Sequence, residues 1–396
     1  MDLLSTRPAV TELRLSAFAS HRGGTFSLGP VTLFAGPSGS GKSSALRAYE
    51  SLAGLAAGAE LGQVFPDPAG CVPDHAEKDA QGRRGFRIGC TVEGPAGPVQ
   101  LDLAVQAEPE LRIVGERLTA EDGRILLSTA LRDPGRSCVQ AAWHTAGAAA
   151  VTRAPFPDDR LGTALLPLRV AGRTDGQRQV LAAAEQVVVA LRSVFTCDPQ
   201  PQRMRAPVPP GDGRLLRGCD NLAAVLHRTR HECARRHARL TTVAGAGCRG
   251  QVSEVGVDAL ADGTVMAVLG RAAGVPATPL GRLGDGELRY LALALVLLTG
   301  PGVLAVDQVA EVPGALQSLT VLADGFDRCL DRRQTAELAS LAASICADGH
   351  LRLVGAVSTD AAFADELEGV TVVDLCRDRT GRESTAAQAG RVRGRP

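Results

Sequence analysis

Lysine is almost missing from this chain. It occurs only as Lys42 and Lys78, although lysine and arginine together number 43, so nearly all the positive charge is arginine. Those cations are matched by 43 acidic residues, for a formal net charge of +0, which excludes a strong overall field drawing the protein to nucleic acid or to a membrane surface. Any such contact has to be local. C-x-x-C pairs are absent as well, the ten cysteines lying scattered from Cys71 to Cys376. The chain opens MDLLSTRPAV, with no basic-then-apolar leader, so the expectation is of reduced thiols in the cytoplasm. Long hydrophobic runs are lacking too. The longest, 291–306, is broken by Gly300-Pro301-Gly302, which leaves each side too short to cross a bilayer. No internal repeat is visible.

What is present is a chain of 396 residues, 45% of them hydrophobic, enough for one large or two ordinary domains with a sizeable core. One of its two lysines sits in Gly36-Pro37-Ser38-Gly39-Ser40-Gly41-Lys42-Ser43-Ser44. That stretch fits G-x-x-x-x-G-K-[ST] and follows the apolar run Val31-Thr32-Leu33-Phe34-Ala35, an order of strand, phosphate loop and helix. A triphosphate is held by a ring of backbone N–H groups, and glycine lets the chain curl tightly enough to present them. Lys42 then reaches the β- and γ-phosphates, Ser43 ligates Mg²⁺ through its hydroxyl, and the helix that starts there adds its positive end. A dinucleotide G-x-G-x-x-G reading is weaker, because Ser44 stands where that motif wants glycine.

Around this loop, 10–18 alternates like an edge strand, and 25–28 and 31–35 are expected to pair beside it as the sheet presenting the loop. The following helix, 42–55, should bury Ala45, Leu46, Tyr49 and Leu52 at helical spacing. A polar Gly/Pro-rich link over 62–85 leads to short runs at 85–93, 99–107, 111–118, 124–128 and 138–144, which read as an antiparallel β lobe. A helix over 178–195 and a Pro-rich linker near 198–213 follow.

The stretch 221–240 reads as one helix and is the most basic part of the body, carrying Arg228, Arg230, Arg235, Arg236 and Arg239 around His227, His231, Cys233 and His237. A metal reading of the histidines is opposed by so many guanidinium groups. A nucleic-acid phosphate contact and a plain solvated face both stay open. In the C-terminal third, Leu283-Gly284-Asp285-Gly286-Glu287 opens a helix that is apolar nearly all round through Leu298. After the Gly-Pro-Gly break, Val303-Leu304-Ala305-Val306-Asp307 has the form of a Walker B strand, whose aspartate holds the magnesium's waters. A final strand over 370–375 precedes an arginine-rich tail expected to be disordered.

With these stretches in view, the chain resembles the ATP-binding-cassette class of P-loop ATPases related to RecF and SMC heads, among them many bacterial AAA family ATPases. The resemblance covers nearly the whole length. It rests on the strand pair ahead of the loop, the β lobe ending at Gly115-Glu116-Arg117-Leu118, Asn221-Leu222-Ala223-Ala224-Val225-Leu226, the turn from Leu283 to Glu287 with Arg289-Tyr290-Leu291-Ala292-Leu293, and Asp307. It implies an α/β fold: an ABC-type P-loop NTPase head with a mixed central sheet, an antiparallel β lobe and a helical insertion. The corresponding division is 1–60 and 276–378 for the ATPase core, 61–150 for the lobe, 151–275 for the insertion and 379–396 for the tail. It also implies ATP and Mg²⁺ as cofactors, with Ser43 and Asp307 at the metal. In such proteins two heads sandwich two ATP molecules, so that Gly284, Asp285, Gly286 and Glu287 of one copy would cap the nucleotide of the other.

Three departures all touch hydrolysis. Gly284 replaces the serine of the usual L-S-x-G. Gln308 follows Asp307 where the family has glutamate, and an amide cannot accept the proton of the attacking water. The switch histidine, expected near Ser358, is missing. The expectation is therefore an ATP-binding head whose nucleotide state controls dimerisation or a partner, with weak hydrolysis. The alternatives are a competent ATPase acting on DNA and a scaffold that never uses nucleotide.

Overall fold

The computed structural model describes residues 7–145, 151–358, 361–364 and 367–376. Its strands fall into two large sheets and one small one. The first large sheet is antiparallel and is built from β1 (Ala9–Phe18), β2 (His21–Ser27), β4 (Arg84–Glu93), β5 (Val99–Glu108), β6 (Arg112–Ala120), β7 (Ile125–Ala130), β8 (Cys138–His144) and β9 (Val151–Pro157), in the order β2-β1-β4-β5-β6-β7-β8-β9. Alternation specifies it. Along β5, Val99, Leu101, Leu103, Val105 and Ala107 are buried while the residues between them are exposed or half-buried, so one face meets the core and the other meets water.

The second sheet is parallel, ordered β10-β14-β15-β3-β16, from β3 (Val31–Ala35), β10 (Val194–Cys197), β14 (Leu319–Ala323), β15 (Leu351–Val357) and β16 (Val370–Asp374). Every residue of β3 and of β14 is buried, as a strand covered on both faces requires. Phe34 faces the core shared with the antiparallel sheet, and Val31, Leu33 and Ala35 face the core on the other side. A small sheet of β11 (Glu254–Ala259), β12 (Val265–Gly270) and β13 (Thr278–Pro279) lies in the second core.

Helix α1 (Lys42–Ala56) touches β1 and β15 together, so it is wedged between the two large sheets. Ala45, Leu46, Tyr49 and Leu52 are buried there as their spacing predicts, and each large apolar side chain so covered contributes about 1.5–3 kcal/mol. After the short helices α2 (Leu61–Val64) and α3 (Gly162–Leu165), α4 (Asp175–Arg192) packs on α1. Next come α5 (Pro201–Met204), α6 (Leu222–Thr229), α7 (Ala234–Gly247), α8 (Asp285–Leu298) and α9 (Arg332–Cys346). Leu288 to Leu297 of α8 are all buried, in keeping with its apolar circumference. None of the described helices is long and apolar enough to cross a membrane.

Several sequence expectations are corrected. The strand β1 is internal, lying between β2 and β4, and neither it nor β2 shares a sheet with β3, because β3 pairs in parallel with β15 and β16 instead. The helix over 178–195 stops at Arg192, and Phe195 enters β10 beside β14. The basic helix over 221–240 is two helices with a break at 230–233. Residues 303–307 form no strand: Leu304 makes a lone parallel bridge with Leu215, and the chain then loops over to β14. The five runs of the β lobe are strands β4 to β8, and the run at 370–375 is β16. The tail 379–396 lies outside the described residues.

Candidate functional site

The loop 36–41 joins the end of β3, an inner strand of the parallel sheet between β15 and β16, to the start of α1. Its curl depends on backbone that L side chains rarely adopt. Gly39 has φ +78 with no heavy atom within 4 Å of a Cβ placed there, so backbone alone demands glycine. Gly41 has φ +107, and a Cβ on it would lie 2.6 Å from His21 Nε2. That ring nitrogen stands 2.9 Å from the Gly41 carbonyl oxygen, so strand β2 buttresses the loop's last residue. The Lys42 ammonium donates to the carbonyl oxygens of Gly36 (2.5 Å) and Pro37 (2.9 Å), which stretches its side chain back along the loop. Pro37, Ser38 and Gly39 form the exposed rim, and Ser44 is half-buried in the first turn of α1. Ser40 Oγ is buried inside the loop with no hydrogen-bond partner among the described residues. A polar atom left unpaired in a concave turn of backbone amides fits an anion such as a phosphate.

Ser43 decides the second half of the site. Its hydroxyl donates to Asp324 Oδ1 at 3.0 Å. Asp324 directly follows β14, which is separated from β3 only by β15. A serine hydroxyl and a carboxylate side by side at the foot of the loop are the hard oxygen donors Mg²⁺ takes. Asp307 is elsewhere: it is 71% exposed and ion-paired with Arg192 at 3.1 Å. The carbonyls of Asp307 and Gln308 also accept from Arg192. The physical reason is that Asp324 follows a strand of the loop's own sheet, which carries it up to the loop, whereas 303–307 is not such a strand. The signal for Asp324 was nonetheless in the sequence, as Leu319-Thr320-Val321-Leu322-Ala323 is a five-residue apolar run ended by Asp324 and followed by the Asp331-capped helix α9.

With the strand reassigned, the residue after the aspartate is Gly325, so a carboxylate is missing there also. Ser358 does fall at the end of β15, where its N–H and hydroxyl donate to Asp327 (2.9 Å and 3.1 Å to Oδ2). The Gly284 N–H and the Asp285 and Glu287 carboxylates make their hydrogen bonds away from residues 36–44. Glu287 accepts from the N–H groups of Gly284 and Arg249, and Asp285 pairs with Arg205 at 2.6 Å. Gly286 packs on the loop after Asp324, since a Cβ there would lie 2.3 Å from the Cys329 carbonyl oxygen. Nearby, the buried Arg289 of α8 donates to Asp198 Oδ1 (3.3 Å), to the Pro199 carbonyl (2.6 Å) and to the Gly325 carbonyl (3.0 Å), tying the ends of β10 and β14 to α8. Sequence reasoning named Arg289 only within the stretch 289–293 and gave it no such role, because its partners are distant in the chain.

The basic stretch is partly neutralised. Arg228 and Arg236 flank Glu232 at 3.3 and 3.5 Å, and Arg239 donates to Ser344. Arg230 and Arg235 have no such partner among the described residues.

No protein-family model and no curated protein sequence matches this chain. Among solved structures, it is similar to an Smc head bound to the C-winged helix domain of ScpA, at 10% identity and TM-score 0.45, covering 90% of this chain and 92% of that one. It is also similar to an Smc head domain with an extended coiled coil bound to the C-terminal domain of ScpA from Pyrococcus furiosus, at 10% identity and TM-score 0.43, covering 90% and 92%. A third is the SMC head domain from Thermotoga maritima, at 13% identity and TM-score 0.41, covering 92% and 94%. At such low identity and TM-score, chemistry has to be read from the loop and its partners.

Proposed function

We propose that this protein binds ATP with Mg²⁺ in the loop 36–44, and that nucleotide occupancy controls pairing with a second copy or with a partner while hydrolysis stays slow. The reading is supported above all by the Ser43–Asp324 contact, which sets a hydroxyl and a carboxylate from opposite ends of the chain against the loop that carries Lys42. Gly36 to Ser44 would wrap the phosphates through backbone N–H groups, with Lys42 turning from its loop carbonyls to the β- and γ-oxygens. Ser43 and Asp324 would hold the metal, whose chemistry is to neutralise charge between the β- and γ-phosphates. Slow turnover is favoured by Gly325, which has no side chain to accept a proton from water. Loss of a general base commonly costs about 10² to 10⁴ in rate. Pairing is favoured by the turn Gly284–Glu287, set at the start of a buried helix and packed on the loop that leaves Asp324.

Equilibrium dialysis with ATP and Mg²⁺ tests the first claim, and Lys42→Ala should lose binding. Retained binding in that variant would defeat the reading. Light scattering with and without ATP tests the second, with a doubling of mass as the expected result.

A further inference from the structure

Gly325 and Arg328 are packed so closely that a Cβ on Gly325 would stand 2.8 Å from Arg328 Nε, 2.9 Å from Nη2 and 3.0 Å from Cζ. Gly325 also has φ +62, which disfavours any L side chain. Glycine here therefore lets a guanidinium lie against the backbone immediately after Asp324, whose carboxylate is 3.0 Å from Ser43 Oγ. At the position where a hydrolysing head carries a glutamate, the first atom of such a side chain would run into a cation.

That cation has donors to spare. A guanidinium carries five N–H groups. Arg328 directs one at Asp198 Oδ1 over a long 3.4 Å, and Asp198 shares the same oxygen with Arg289 at 3.3 Å. Among the described residues no other partner takes its Nε or Nη2, and its side chain is 51% exposed. Unlike a carboxylate, a guanidinium cannot take a proton from water, but it matches phosphate oxygens with two parallel N–H groups. Replacing a base by such a group changes what the place can do, from activating water to gripping a terminal phosphate.

We propose that Arg328 reads the γ-phosphate of a nucleoside triphosphate held in the loop 36–44, so that the site discriminates triphosphate from diphosphate and retains the triphosphate. This rests on the nucleotide-binding reading above. Asp198 is its resting partner, and Gly325 is the residue that makes room for it.

The test is equilibrium dialysis of ATP and of ADP, each with Mg²⁺, on the wild-type chain and on Arg328→Ala, Arg328→Gln and Arg328→Lys, with Lys42→Ala as reference. We expect Arg328→Ala to weaken ATP binding about tenfold or more while ADP stays within about twofold, and Arg328→Lys to recover part of the difference. Arg328→Gln, which keeps the aliphatic stem, should behave like Arg328→Ala and serves in its place if the alanine variant does not fold. An unchanged ATP-to-ADP ratio overturns the proposal, whether both affinities stay at the wild-type level or both fall together, since the arginine would then only brace Asp198. A wild-type chain that binds neither nucleotide removes the underlying reading and the proposal with it, and is told apart because the failure appears without any change at Arg328.

Discussion

Ser43 Oγ donates to Asp324 Oδ1 at 3.0 Å, across 281 positions of sequence. This contact selects Asp324 over Asp307 as the acidic partner of the loop. Asp324→Asn should weaken magnesium-dependent ATP binding about tenfold or more, because a hydrogen bond to a charged group contributes about 1.5–3 kcal/mol and the metal loses an anionic ligand as well. Asp307→Asn, which only releases Arg192, should leave binding unchanged. Dialysis with and without Mg²⁺ checks both, and the reverse pattern would restore Asp307.

A carboxylate placed directly after Asp324 should not speed turnover. Gly325→Glu forces a side chain onto backbone at φ +62 and into the Arg328 guanidinium. The variant should lose about 1–3 kcal/mol of stability in denaturant unfolding and release phosphate no faster than the wild type. A clear gain in phosphate release would show that the loop can rearrange to accept a base.

Helices α7 and α8 meet at a glycine. A Cβ on Gly247 would lie 1.9 Å from a ring atom of the buried Tyr290, and the Tyr290 hydroxyl is anchored on the Val243 carbonyl at 3.0 Å. Gly247→Ala should therefore destabilise the fold by about 1–3 kcal/mol or more through overpacking. Tyr290→Phe in the same background should not rescue it, because the clash is with the ring and not with the hydroxyl. Thermal unfolding of the wild type, the single variant and the double variant measures this.

Thiol chemistry reports the same packing. Burial pushes the Cys90, Cys248 and Cys346 thiols up to about 12, whereas Cys329 and Cys376 are exposed. Because the thiolate is the reactive form, a disulfide reagent at mildly alkaline pH should modify Cys329 and Cys376 first and reach the other three only as the protein unfolds. Fast reaction of Cys90 in the native state would contradict the fold of the antiparallel sheet.

Local patterns were legible wherever one segment carries its own evidence. The antiparallel strands β4 to β8 follow one another in the chain and pair with their neighbours, so alternation and turns sufficed to find them. Helix α8 was recognisable from its apolar circumference. Parallel pairing left no comparable trace. The runs 303–306 and 319–323 are both apolar and both end on aspartate, and nothing within either says which lies beside β15. The choice is made by Val321 opposite Leu353 and by Ala323 opposite Gly355, contacts between segments some thirty residues apart. Likewise, 221–240 has the composition of one helix but is divided at 230–233.

The sequence by itself determined the glycine cradle with its lysine and serine, because a ring of backbone amides is made from consecutive residues. Tertiary structure alone decided which carboxylate stands against Ser43, that Arg289 joins α8 to the strand ends, and that Arg328 lies against Gly325 beside Asp324. These depend on parallel strands and crossing helices that bring remote backbone together, and a distance of a few ångströms between remote residues has no counterpart in the order of residues along the chain.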